Sequence, residues 1–476
     1  MVATEEPLRF RTALIFLILA IGLGAYAYFV ERPARERESG KGTLLTLDSE
    51  AVEEIALAYP GNEIRLTKGP DTHWRIAAPI EADADQFVVK NLVDAISKAE
   101  LTRTIEEPSQ DAALYGLDVP TVTIRLRLAD GTKPPALLVG KQTPIGFKAY
   151  VQKEGDPNVY LTTGSFHSGV KKEVKDLRNK TVVDFVDNEV ETITLARKGA
   201  GPLVLRKTGD AWRITDPSEH AADDAEVRSF FSSLRGLRAQ DFIDAQSDAL
   251  GKYGLDDPRL RVTLSIGKDG AQKSVLLGSE APGPQKHIYA KRAESATIYL
   301  VGDWVFKSLD KDANAFRDRT VLGFERDEAT QITVTPKDGD PFTLERAQSG
   351  LWAVKGSDKK PDEKAINRFV EDLAQTKPAE IVSEDAADFF RYGLHDPDLR
   401  ISVVGKNGEA IGTLLATRHA EGGADEDTSY FAREGAPTIL AGRGYMFTRL
   451  DKRPSDLLEA AETSPPAEGD PNGSPE

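Results

Sequence analysis

Apolar side chains fall on every second position of residues 122–128. Val122, Ile124, Leu126 and Leu128 face one way, and Thr123, Arg125 and Arg127 the other. Strict alternation predicts a strand with one buried face. The pattern returns as Leu260, Val262, Leu264 and Ile266, and again as Leu399, Ile401 and Val403. Asp130-Gly131, Asp269-Gly270 and Asn407-Gly408 follow these strands. Such dipeptides turn hairpins, so returning strands are expected at 137–139, 275–277 and 413–415. Each long strand is preceded by shorter alternating segments: 53–58, 63–67 and 74–77; 190–195, 203–206 and 212–215; 330–335, 342–345 and 352–354. Turn residues separate them, which predicts an antiparallel meander. Trp74, Trp212 and Trp352 mark the third strand of each meander. Further strand pairs fit 149–152 with 159–161 and 288–291 with 297–301.

Between meander and long strand the apolar period lengthens. Val88, Leu92 and Ala95, then Val227, Phe231 and Leu234, then Ile366, Val370 and Leu373 recur at i, i+4, i+7, one face of a helix. Asp83, Asp223 and Asp362 are the expected N-caps. Tyr115-Gly116-Leu117-Asp118-Val119-Pro120 comes next and recurs as Tyr253-Gly254-Leu255-Asp256-Asp257-Pro258 and Tyr392-Gly393-Leu394-His395-Asp396-Pro397. Glycine suits the left-handed position past a helix end, and the proline discourages a restart. Three copies at a near-constant interval mean that one domain-sized unit is repeated. The expected fold class is α+β: three tandem repeats, each an antiparallel sheet with a packed helix, at 43–185, 189–324 and 328–460. A short closing helix ends in Leu177-Arg178-Asn179-Lys180-Thr181 and in Phe316-Arg317-Asp318-Arg319-Thr320. The third unit lacks that ending, as terminal repeats often depart from their neighbours.

Residues 12–30 carry no charge. As a helix they would rise roughly 28 Å, close to the ~30 Å of a bilayer's hydrocarbon core. A single N-terminal transmembrane helix is expected there, with 1–11 cytoplasmic and 31–42 a charged linker. Cleavage at Ala25-Tyr26-Ala27 is the competing reading; the apolar run continues past it to Val30. Basic residues flank both ends, and long domains translocate largely regardless of charge, so the repeats are placed outside the cytoplasm. Residues 461–476, acidic and proline-rich, read as a disordered tail.

The net charge of −16 argues against a nucleic-acid partner. The absence of cysteine excludes disulfides, thiolate metal sites and cysteine nucleophiles. A catalytic reading of the repeated stretch would use Asp118 or Asp256 as carboxylate and Tyr115 or Tyr253 as acid. The structural reading makes the stretch a helix stop, with Asp forming a turn and Tyr in the core. The structural reading is preferred, because His395 replaces that Asp in the third unit. His73, His167, His220, His287, His395 and His419 show no paired metal-ligand spacing. The loop at 418–429 holds Glu421, Asp425, Glu426 and Asp427 without the alternate-position oxygens of a calcium loop. No nucleophile elbow, Walker A loop or strand-linked G-x-G-x-x-G occurs. Arg178 and Arg317 would hold an anion or a partner carboxylate, or else the terminal carbonyls of their own helices; the last is the expectation.

The uncharged N-terminal run, the tryptophan-bearing third strand, the Tyr-Gly-Leu-(Asp)-x-Pro stretch and the Leu/Phe-Arg-(Asn/Asp)-(Lys/Arg)-Thr ending together resemble the domain-of-unknown-function 4340 family, in three tandem copies. The resemblance implies a bacterial inner-membrane protein, single-pass, with the bulk of the chain periplasmic. It further implies an accessory or scaffold role beside an ABC-transporter-like complex of the gliding-motility type. It brings no catalytic, cofactor or metal residues, so none is expected, and the chain is read as non-enzymatic. A polysaccharide-binding protein and, behind it, an envelope hydrolase are the alternatives. An exposed aromatic row would favour the first and converging carboxylates the second.

Overall fold

The computed structural model describes residues 42–105, 112–244, 247–418 and 427–459. Two compact units divide the chain. The first holds Met1–Asp184, Arg235–Ala249 and Glu280–Gly302; the second holds Phe185–Leu234, Leu250–Ser279 and Asp303–Glu476.

In the first unit the first repeat forms a nine-stranded antiparallel sheet. Its spatial order is Ala82–Asp83, Trp74–Ala78, Asn62–Lys68, Val52–Tyr59, Val122–Leu128, Leu137–Gln142, Ala149–Lys153, Val159–Thr162 and Arg103–Ile105. The meander therefore fills one half and the hairpin strands the other. The long alternating strand pairs with Val52–Tyr59 at the centre, placing Leu126 opposite Ile55 and Ile124 opposite Leu57. The chain leaves one edge at Asp83, crosses as helix α1 (Gln86–Ser97), and returns on the opposite edge at Arg103–Ile105. The same unit holds His287–Arg292, Ile298–Gly302 and Asp241–Ile243 of the second repeat, paired in that order.

The second unit holds the second repeat's meander and long strand, ordered His220–Ala221, Ala211–Asp216, Leu203–Thr208, Val190–Arg197, Leu260–Ile266 and Ala271–Ala281, with helix α2 (Asp224–Arg235). It also holds the third repeat's eight-stranded sheet: Trp352–Val354, Phe342–Arg346, Ala329–Pro336, Leu399–Gly405, Ala410–Thr417, Thr428–Arg433, Ile439–Arg443 and Glu380–Ser383, with helix α3 (Glu363–Ala374).

These findings correct the expected α+β class with a transmembrane helix. The described chain is mostly antiparallel sheet with few helices. Each repeat's longest helix has 12 residues, a rise of about 18 Å. Among the described residues no helix is long and apolar enough to cross a membrane. Residues 1–41, which include the expected anchor, lie outside those described, as do the 461–476 tail and most of the acidic loop with Glu421, Asp425 and Glu426.

Helix phase follows the predicted faces in α2 and α3, which bury Val227, Phe231 and Leu234 and Ile366, Val370 and Leu373. In α1 the buried set is Val89, Leu92, Val93 and Ile96, one step from the expected Val88. The cap moves with it: Asp85, not Asp83, accepts from Phe87 and Val88 N–H. Asp223 and Asp362 cap α2 and α3 as expected. A strand–helix tie recurs in all three repeats. The backbone N–H of Trp74, Trp212 and Trp352 donates to Gln86, Asp224 and Glu363, each the first residue of its helix.

Gly116, Gly254 and Gly393 have φ of 66°, 64° and 70°. The repeated stretch is thus a left-handed helix stop, as predicted. At Gly254 an added Cβ would lie 3.0 Å from Ser279 N. Gly254→Val is expected to destabilise its repeat by more than ~1 kcal/mol, combining strain and crowding. Gly254→Asn, which tolerates left-handed φ, should cost less. Denaturant melts of the two variants check this; equal loss would overturn the backbone explanation.

Candidate functional site

The sequence's catalytic candidates do not converge. Asp118 and Asp256 are exposed, and Asp256 Oδ1 accepts from Asp257 N–H at 3.0 Å, a turn contact. Tyr253 is buried. Tyr115 packs against Tyr150, and Tyr392 against Tyr430, each with ring centroids 4.8 Å apart. His395 is exposed against Phe390. His73, His220 and His287 contact Asp71, Ser218 and Gln240 respectively, on separate elements. His419 lies outside the described residues. Among the described residues no group of three or more His, Asp or Glu could hold a metal ion. Trp74, Trp212 and Trp352 are buried, so they form no aromatic row.

Buried charge gathers instead where one repeat's closing segment meets the next repeat. Arg178 is buried, and its guanidinium grips Asp244 with two bonds of 2.9 and 3.0 Å. It lies 4.0 Å over the Phe242 ring and reaches Thr297 Oγ1 at 3.4 Å. Arg317, also buried, binds Glu384 at 2.7 Å. The expectation that these side chains bond the carbonyls of their own helix ends is corrected: each holds a carboxylate of the following repeat. Planar bidentate pairing is what an Arg fork provides and a Lys does not.

A second pair of opposite polarity sits beside each. The capping carboxylate Asp85 lies 3.5 Å from Arg238, and capping Asp223 pairs with Lys377. The backbone joins in. Val182 N–H donates to Leu237 O and Ala239 N–H to Lys180 O at the first junction; Val321 N–H donates to Thr376 O at the second. The first and second repeats each therefore present one cation and one anion to the repeat that follows, which supplies the complement.

Three segments of the chain, 74–211, 212–367 and 352–469, match the profile of the Domain of unknown function (DUF4340). This chain belongs to the DUF4340 family. Each matched segment begins at a tryptophan of the third strand. No curated protein matches the chain.

The third DUF4340 copy differs from the first two in its closing segment. Leu177 O, Phe316 O and Leu457 O accept equivalent bonds from the capping residues Asp85, Asp223 and Asp362. The next residue is Arg178, Arg317 or Leu458, each bridged to the residue before the cap. Arginine thus stands where a repeat follows, and leucine at the last copy. At the second junction, burial works against the charge of Asp223. The Lys377 ammonium and the N–H groups of Ala225 and Glu226 outweigh it and hold the carboxyl below its ordinary value. Arg317 likewise holds Glu384 low. Burial, with Arg317 nearby, pushes His220 down. A cavity of about 540 Å³ opens beside Arg178. Its lining opposes Arg75 and Arg292 with Glu81 and Asp83, so it offers no single-sign field for a charged ligand.

Proposed function

We propose that this DUF4340 chain is a non-enzymatic, extracytoplasmic accessory or scaffold protein at the bacterial inner membrane, associated with an ABC-transporter-like complex. The observation that carries the scaffold reading is the use made of buried charge. Active sites are where perturbed, buried ionisable groups collect. Here the buried charged side chains among the described residues are Arg178, Asp223, Lys291 and Arg317. Three hold one repeat to the next, and Lys291 donates to the carbonyls of Arg292 and Ala293. The transporter association is supported by the family resemblance, and the place at the membrane by the uncharged run at 12–30. Burial of the three tryptophans counts against a polysaccharide platform.

Affinity purification of the full chain from detergent-solubilised membranes tests the reading. It should recover integral-membrane transporter subunits in fixed stoichiometry, and Asp256→Asn should recover them equally, since asparagine replaces a turn former with another. Recovery of the chain alone, or a folded Asp256→Asn protein without cellular function, would overturn it.

A further inference from the structure

The hairpin loop between Leu137–Gln142 and Ala149–Lys153 has the sequence Thr143-Pro144-Ile145-Gly146-Phe147-Lys148. Ile145 is 91% exposed and Phe147 67%. Large apolar residues at a tip are common enough singly, but here the backbone is built to hold two. Phe147 has φ of 49°, an outlier for a bulky residue. Thr143 N–H bonds Lys148 O at 2.7 Å, Thr143 Oγ1 donates to Ile145 O at 2.8 Å, and Lys148 N–H returns to that hydroxyl at 3.0 Å. Gln142 Nε2 donates to Phe147 O at 3.2 Å. The loop also rests on the start of the helix Gly164–Val170, where a Cβ at Gly164 would come within 2.5 Å of Phe147 O. A strained loop, braced by these hydrogen bonds, that holds two apolar side chains in water is pre-organised for an apolar environment.

We propose that this loop is a prong that enters the surface of an anionic lipid bilayer. The proposal rests on the membrane placement given above. Charge supports that occupant. Residues 141–148 carry Lys141 and Lys148 and no acid, in a chain of net charge −16. Lys148 adjoins the apolar tip, while Lys141 Nζ donates to Ala113 O at 3.1 Å; an apolar tip beside a lysine fits the boundary between acyl chains and anionic headgroups. Chain length supports it as well. Eleven residues, 31–41, separate the uncharged run from the described strand at Gly42, a reach of at most about 40 Å. The prong belongs to the repeat that follows that run most closely in the sequence. The second repeat's corresponding loop, Pro282-Gly283-Pro284-Gln285-Lys286, carries no large apolar residue.

The chain has no cysteine, so a single introduced thiol reports one site. Full-length Ile145→Cys and Gln285→Cys, each labelled with a solvent-sensitive fluorophore, are reconstituted in phosphatidylethanolamine–phosphatidylglycerol vesicles containing lipid-borne nitroxide. The label at 145 should shift to the blue and be quenched, and the label at 285 should not. Phe147→Gly suits the local φ, so it should leave the melting temperature no lower while reducing quenching at 145. A vesicle-bound protein whose 145 label stays as wet as the 285 label overturns the prong alone. Protein that does not co-float with vesicles overturns the membrane placement and the prong together. A label that stays wet on protein-free vesicles but shifts in native membranes overturns the lipid assignment in favour of a membrane protein.

Discussion

Trp352→Ala will cost the third repeat on the order of 3–5 kcal/mol. Trp352 is 1% exposed, in a core with Phe342, Leu344, Phe369 and Val370. Truncation leaves a void between the sheet and α3 that neither can close. Arg346, whose guanidinium lies 5.9 Å from the ring, also loses its face. A domain's stability is about 5–15 kcal/mol, so this change takes a large fraction of the repeat's own. Hydrogen exchange read repeat by repeat should show protection lost within 329–457. Trp304→Ala, at a site 57% exposed, is the matched control and should change little. Similar behaviour of the two variants would refute a core role for the repeated tryptophans.

What was legible in the sequence is what local pattern encodes. Val122 through Leu128 alternate because one face is buried, and a one-residue slip would turn that face to water. The glycine stop was legible because glycine carries few other meanings between a helix and a strand. The slip in α1 has a simple cause: Val88 and Val89 are both apolar, and Asp83 and Asp85 both suit a cap. The edge strands Arg103–Ile105, Asp241–Ile243 and Glu380–Ser383 were missed because they are short, and their hydrogen bonds go to strands far along the chain. One helix per repeat carries the strongest single period, yet most of each repeat's elements are short strands. The junction was half visible. The arginines stood out by repetition, but Asp244 and Glu384 differ in type and Arg238 and Lys377 in side chain. Only the fold brings them to their partners.

At the first junction the two partners should respond unequally. Arg178 has 8% of its side chain exposed and Asp244 has 47%. Asp244→Ala strands a guanidinium that is largely buried, and an uncompensated buried charge is the expensive outcome. Arg178→Met leaves a carboxylate that water already half solvates, and the thioether keeps apolar contact with Phe242. Asp244→Ala should therefore cost about 2–3 kcal/mol, scaled down from a fully buried pair because of the aspartate's exposure. Arg178→Met should cost about 1 kcal/mol. The double variant should recover most of the aspartate's penalty, since no charge is then stranded. Glu384→Ala and Arg317→Met should repeat the order at the second junction, where the exposures are 52% and 9%. Denaturant melts of the single and double variants supply the cycle. Equal single costs with strict additivity would mean that the arginines act by packing alone, and the charge pairing would then have no part in joining the repeats.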